Sequence, residues 1–424
     1  MATERTGRSL PHGNLALIGH ADHGKTELLR ALSRRLAERP DGYARPPAPR
    51  PEVLGHAPST ATRHARMTEL ETSQRHWSVL DVPGRRQHLR EAIREMACVD
   101  VAVLVVSAVV GAEPQTREHL LHARGAPNLV VFLNRCDEVT EPDWIDEVER
   151  DVRQVIASCD LPGDDVPVLR GSALRAADGD ARWTPGVDAL IDALDRDVAL
   201  PTRDDEGPGI LLVKASYRRL NRGVIAAGVV LRGTLSVNRA VEVVGRGPVR
   251  RATPDRMEIH GRPVASARAG DSVGVMLRDL ERPWRAEGAA VATPGAAKAA
   301  LEVSVRLRAL TKREGGRHTP MLDGHRMQLC VGAAKVPCAL RLPDGVAELA
   351  PGDEREVTLA LDTRRVYEGT WWRTEAIDHL AAWAEVGMRV ALRDGSHGIA
   401  AADGALVWGG TCAVGTVTAV THAG

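Results

Sequence analysis

The sequence predicts an α/β domain followed by two antiparallel β-barrels, and three observations predict it. Residues 1–200 alternate short apolar runs with helical patterns, the rhythm of strand–helix–strand units in a parallel sheet. A charged linker containing Pro and Gly, Leu200–Gly209, then interrupts that rhythm. Beyond it, residues 209–296 and 299–424 carry short β-type runs separated by Gly and Pro, a texture that suits small barrels.

Each element follows from local pattern. A chain of 424 residues exceeds one ordinary core, so several domains are expected. Leu15–Ile18, Val101–Ser107 and Leu129–Leu133 read as buried strands, and Trp77–Leu80 as a further one. Glu27–Leu36, Leu89–Met96, Trp144–Ala157 and Val187–Leu194 read as helices. Arg39–Pro58, rich in Pro, Gly and Arg, reads as an irregular loop. In the later regions Gly223–Arg232, Ala240–Val244 and Ser272–Leu277 read as strands, and Thr374–Glu385 as a helix. No repeat of fixed period is present.

Composition narrows the class. The 56 basic and 56 acidic residues balance, so no global field attracts nucleic acid or membrane, although a local basic face would be enough for RNA. The six cysteines, Cys98, Cys136, Cys159, Cys330, Cys338 and Cys412, form no close pair and read as buried thiols of a cytoplasmic protein. The N-terminal stretch lacks the apolar core of a signal peptide, and no run approaches the ~20 apolar residues of a membrane span.

The chemistry concentrates in four segments, each expected at a strand end. Gly19-His20-Ala21-Asp22-His23-Gly24-Lys25-Thr26 fits G-x-x-x-x-G-K-[ST] between a predicted strand and a predicted helix. Backbone N–H groups and the helix N-terminus there suit phosphates. Lys25 suits the β/γ-phosphate charge, and the Thr26 hydroxyl suits Mg2+. Asp81-Val82-Pro83-Gly84 matches D-x-x-G: Asp81 would hold Mg2+ and the Gly84 N–H would sense the γ-phosphate. Asn134-Arg135-Cys136-Asp137 resembles N-K-x-D. The Asp137 carboxylate can accept from both N1–H and the exocyclic amine of guanine, a pair that adenine lacks. Arg135 takes the Lys position, with an aliphatic stem able to cover the base. Ser172, Ala173 and Leu174, after Gly171, would bring backbone N–H groups near guanine O6. The carboxyl edge of such a sheet is where nucleotides bind.

These residues resemble the elongation factor Tu family. The resemblance rests on Gly19–Thr26, on Pro114-Gln115-Thr116-Arg117-Glu118-His119-Leu120-Leu121 and on Val131–Asp137. Arg222-Gly223-Val224, Gly270–Gly274 and Glu314-Gly315-Gly316-Arg317-His318-Thr319-Pro320 extend it, so that it runs from about Asn14 to Val420. It implies an α/β P-loop GTPase domain followed by two antiparallel β-barrel domains, at residues 1–200, 209–296 and 299–424, with an insertion near 367–385. It also implies GTP and GDP as ligands, Mg2+, GTP hydrolysis, and delivery of aminoacyl-tRNA to the ribosome by a cytoplasmic monomer served by a guanine-nucleotide exchange factor, with no membrane partner.

Departures from the family pattern open a second reading. Thr62, in Thr60-Ala61-Thr62-Arg63, has the spacing of the family's Mg2+-binding switch threonine but different flanks, and an ordinary loop threonine is the alternative. Arg85 stands where the family has the His that positions the attacking water. Arginine cannot accept a hydrogen bond from water; it could stabilise phosphate charge as a catalytic group or lie on the surface. His88, one helical turn on, is a substitute candidate. In the implied aminoacyl pocket Lys214 replaces an acid, Ser272 an Asn and Met67 a His. An ammonium there would repel the aminoacyl amine, or it would suit an anionic substrate, or it would point into water. Trp371, Trp372 and Trp383 mark either a partner surface or packing against the barrel. The second reading is therefore a divergent GTP-binding switch that has lost aminoacyl-tRNA carriage and efficient hydrolysis.

Overall fold

The structure is a computed structural model that describes residues 10–40, 42–44, 66–82, 84, 96–219, 223–245, 248–278, 280, 287–314, 316–361, 382–393, 399–400, 406–407 and 411–422. Its contacts divide the chain into two units, residues 1–203 with 259–264, and residues 204–258 with 265–424.

Among the described residues the first unit is built on seven strands: β1 (His12–Ile18), β2 (Tyr43–Ala44), β3 (Arg66–Glu71), β4 (His76–Asp81), β5 (Val101–Ser107), β6 (Asn128–Asn134) and β7 (Val168–Arg170). Their order is β2-β3-β4-β1-β5-β6-β7. From β4 to β7 all pairings are parallel, while β2 and β3 add an antiparallel edge. Every residue of β1, β4 and β5 is buried, which explains the unbroken apolar run Val101–Val106. Helices Lys25–Glu38, Pro114–Ala123, Pro142–Ala157, Ala173–Asp178 and Thr184–Arg196 follow in the chain. Leu28, Leu32 and Leu36 of the first and Val187, Leu190 and Leu194 of the last join Leu15, Leu17, Val103 and Phe132 in one core. The chain leaves β1 toward β4 and later returns to β5 on its other side. That reversal opens a crevice at the carboxyl ends of the strands.

The second unit is antiparallel. Its first sheet holds β8 (Ile210–Arg219), β9 (Gly223–Arg232), β11 (Val241–Val244), β12 (Arg250–Ala252), β13 (Pro254–Ile259), β16 (Ser272–Leu277) and β17 (Ala290–Ala292), with β10 (Thr234–Ser236) and β15 (Ser266–Arg268) paired alongside; β14 (Arg262–Val264), which extends this sheet beyond β13, is grouped with the first unit together with Ile259. The second sheet holds β18 (Ala299–Ala309), β20 (Arg326–Val331), β21 (Ala334–Arg341), β23 (Glu354–Leu361), β24 (Ala382–Trp383), β25 (Arg389–Arg393) and β28 (Thr411–His422). The short pairs β19 (Met321–Leu322) with β22 (Glu348–Leu349), and β26 (Ile399–Ala400) with β27 (Leu406–Val407), accompany it. Pairing of β23 with β18 closes six of these strands into a barrel around Val303, Val305, Leu329, Leu340, Leu359 and Leu392. Closure removes the unpaired edges that an open sheet would expose.

One expectation is corrected here. The segment Thr374–Glu385 reads as a helix from its apolar spacing, but Ala382–Trp383 forms a strand that pairs with Ala299–Ala300. Trp383 is 2% exposed, so its burial comes from extended backbone on the edge of the barrel sheet, not from a helix face. Residues 367–381 of the insertion, with Trp371 and Trp372, lie outside the described residues, as do most of Arg39–Pro58 and all but Met96 of the helix expected at Leu89–Met96. All six cysteines are free thiols, five of them buried and Cys98 half-buried. Among the described residues no helix is long and apolar enough to cross a membrane.

Candidate nucleotide-binding site

The loop after β1 is built for close backbone approach. Asp22 and Gly24 take left-handed backbone (φ 61° and 90°), and a Cβ on Gly24 would lie 2.1 Å from Nδ2 of Asn134. The helix Lys25–Glu38 starts at once, so its unpaired N–H groups and positive dipole end close the loop. Lys25, 7% exposed, donates from Nζ to the carbonyls of Gly19 at 2.9 Å and His20 at 2.5 Å. Burial lowers its ammonium to about 8 even though Asp81, Asp22 and Glu27 act to raise it. A buried cation at the first turn of a helix, where backbone N–H groups lack partners within the helix, suits a phosphate.

Thr26 and Asp81 meet at the same edge. The Thr26 hydroxyl donates to Oδ2 of Asp81 at 2.7 Å, joining the helix start to the end of β4. Three residues on, a Cβ at Gly84 would lie 2.5 Å from Nζ of Lys25 and 2.6 Å from the Ala21 nitrogen and the Gly19 carbonyl. Only glycine fits so close to the loop. A hydroxyl and a carboxylate, both hard oxygen donors, suit Mg2+, and the donors present fit it.

Asn134 ties the guanine side together. It is 2% exposed at the end of β6; its Nδ2 donates to the His23 carbonyl at 2.9 Å and its Oδ1 accepts from the Ala173 N–H at 2.8 Å. Ser172 caps the helix Ala173–Asp178, its hydroxyl accepting from the Arg175 N–H. The Ala173 N–H, expected near guanine O6, thus engages Asn134, while Leu174 is 48% exposed beside it. Asp137 sits in the short helical turn Cys136–Glu138 and accepts from Nε of Arg175 at 3.1 Å. Arg135, in left-handed backbone, directs its guanidinium to Glu138 in two hydrogen bonds of 2.8 and 2.6 Å.

Several partners escaped the motifs. The Gly19 N–H donates to Nδ1 of His119 at 2.8 Å. Burial holds His119 down to about 3, with the charges of Lys25 and His20 adding to the effect, so it is a neutral acceptor. His23 accepts from the Ser107 N–H at Nδ1, leaving Nε2–H to donate to Glu113 at 2.9 Å. Burial lowers the His23 pKa; its hydrogen bond to Glu113 acts the other way. Glu113 also lies 3.5 Å from His20 and caps the helix Pro114–Ala123 through a reciprocal pair with Thr116. The pattern E-P-x-T is a helix-start signal, and only the fold turns that cap toward the loop. Arg175 carried no signal beyond following Ser-Ala-Leu.

Other named residues lie elsewhere. Thr62, Arg85 and His88 fall outside the described residues. Met67 is half-buried on β3 opposite Leu80. In the second unit Ser272 opens β16 opposite Val229. Lys214 occupies the bulge of β8 between Val213 and Ala215 and is 8% exposed. The reading in which Lys214 points into water is therefore overturned, because the extra residue of a bulge is turned off the regular alternation and here goes inward.

Residues 10–199 match the family described as Elongation factor Tu GTP binding domain. The match spans the sheet and all four motifs, so residues 10–199 form a GTP-binding domain of the elongation factor Tu type.

Proposed function

We propose that this protein is a GTP-driven translation factor that carries aminoacyl-tRNA to the ribosome and is released by GTP hydrolysis. The observation that carries the reading is the joining of four motifs at one sheet edge. Lys25 and the loop backbone face the phosphate position, Thr26 and Asp81 share a hydrogen bond, and Asn134 links the loop to Ser172–Leu174 beside Asp137. Thr26 and Asp81 would hold Mg2+, which supplies charge neutralisation at the β- and γ-oxygens. Lys25 adds a cation that needs no large movement, and Asp137 selects guanine through its two acceptor oxygens. The backbone of Gly84 stands against the loop, where the presence of a γ-phosphate would be felt. Lys25→Ala is expected to weaken GDP and GTP binding ~10–100-fold, the worth of one or two charge-assisted hydrogen bonds. Fluorescent-nucleotide titration reads this, and unchanged affinity would sink the site. Protection of the aminoacyl ester from hydrolysis in the presence of GTP tests the cargo.

A specific observation favours a second reading, a guanine-nucleotide switch without aminoacyl-tRNA. Lys214 is buried in the barrel strand where an acid would greet an amino group. A buried ammonium repels a second cation more strongly than an exposed one. Tight nucleotide binding without ester protection selects this reading.

A further inference from the structure

The far end of the sheet holds a second constellation that the nucleotide site does not use. On β1 and β4 the core takes Leu15, Leu17, Trp77 and Val79, so alternation sends His12, Asn14, His76 and Ser78 to the opposite face. Register sets His12 beside His76, and Glu69 of β3 beside Ser78. All are buried: His12 9%, Glu69 7%, His76 3% and Ser78 3% exposed. Histidines and a carboxylate in the middle of a sheet are costly unless something gathers them. His260 comes from the segment Ile259–Val264, which belongs to this unit, and is 8% exposed.

We propose that Glu69, His76 and His260 form a binding site for one divalent transition-metal ion of the zinc class. One ligand atom from each lies within 4.8 Å of the others. A tetrahedral zinc sets its ligands about 3.4 Å apart, a closure within reach of small side-chain rotations. Two imidazoles and one carboxylate are a zinc donor set, with water in the fourth position. His76 Nε2 lies 2.9 Å from Glu69 Oε1, so the metal takes the place of the hydrogen bond between them; His76 ligates as a neutral imidazole through Nε2, its one ring proton being carried on Nδ1. The other nitrogen of His76, Nδ1, is 2.8 Å from Nδ1 of His12, which orients the ring as outer partners of metal-bound histidines do. Ser78 Oγ lies 3.0 Å from Nε2 of His260. Arg262 approaches the second carboxylate oxygen of Glu69 at 3.4 Å, and as a half-exposed side chain it has solvent to swing into. The ion would hold Ile259–Val264 to strands β3 and β4, residues almost two hundred positions away in sequence.

The test uses full-length protein, stripped by chelator and saturated with Mg2+ and GDP so that the nucleotide site is already filled. Zn2+ is titrated against a chromophoric chelator, and Co2+ is added separately to read visible d–d bands. One equivalent of Zn2+ with Kd below about 1 µM is expected, within the range of built protein sites. His260→Ala and Glu69→Gln are each expected to weaken it at least ~10-fold and to remove the tetrahedral Co2+ bands. Failure of the wild type to take up Zn2+, or uptake that both variants leave unchanged, overturns the proposal. Circular dichroism checks the fold of His260→Ala; Glu69→Gln keeps the volume and provides the second arm. Neither residue touches the nucleotide site, so loss of GDP binding would not mimic loss of zinc.

Discussion

His119 shows how one buried side chain can make a nucleotide loop pH-sensitive. In the unfolded chain its imidazole binds a proton below about 6.5, whereas in the fold burial delays protonation to about 3. The folded pKa is depressed, so the stabilisation is complete above pH 6.5 and is lost as pH falls through the window from 6.5 toward 3. The expected slope is up to about 1.4 kcal/mol per pH unit for this one group. His119→Gln keeps an acceptor for the Gly19 N–H and removes the proton site. Urea midpoints between pH 7 and 5 are expected to fall less steeply in the variant, and an identical slope would assign the acid sensitivity elsewhere. Arg175 offers a different test. Its side chain is 58% exposed, so the ion pair with Asp137 adds under ~1 kcal/mol to stability. Arg175→Ala should leave the melting temperature nearly unchanged while GDP affinity drops about 5-fold, because the Asp137 carboxylate, proposed to read guanine, loses the group that orients it. Equal affinity would show that Asp137 needs no such support.

Strand ends and loops make the site, and Asn134 is the joint among them. It connects the end of β6 to the phosphate loop and to the start of the helix Ala173–Asp178 by two buried hydrogen bonds. Asn134→Ala leaves the His23 carbonyl and the Ala173 N–H without these partners, at about 1–3 kcal/mol each. Chemical denaturation should show a loss of about 2–6 kcal/mol, together with weaker GDP binding. A loss of stability with intact binding would mean that the two loops hold their places without it. The motif N-K-x-D reports where such an Asn stands, but not that it bonds both loops. That fact needs β5, β6 and the loop Gly171–Ser172 side by side. The helix expected over Thr374–Glu385 fails at its end for a related reason. Ala, Ile, Leu and Trp at helical spacing also suit an apolar strand, and pairing of Ala382–Trp383 with Ala299–Ala300 decides between them.

The two units carry separate hydrophobic cores, one around Leu15, Leu28 and Phe132, the other around Leu329, Leu340 and Leu359. Leu329 is fully buried in the closed barrel, and Leu329→Ala should cost about 2–5 kcal/mol through lost transfer energy and a cavity. The GDP affinity of the same variant should match the wild type, since the nucleotide residues lie in the other core; a shift in Kd would reveal coupling between barrel packing and the nucleotide site. By itself the sequence determined the class of the fold and carried the phosphate and guanine motifs. These are local patterns: apolar period, glycine where backbone must approach, and charged groups at fixed spacing. The tertiary structure alone decided what lies far apart in the chain and close in space. His119 and Glu113 behind the phosphate loop, Arg175 on Asp137, the burial of Lys214 in a bulge, and His12, Glu69, His76 and His260 gathered on one sheet face are all of this kind. The physical reason is that strand order and register are set by burial of whole apolar faces, so the polar neighbours each residue meets depend on the entire sheet and are written in no single segment.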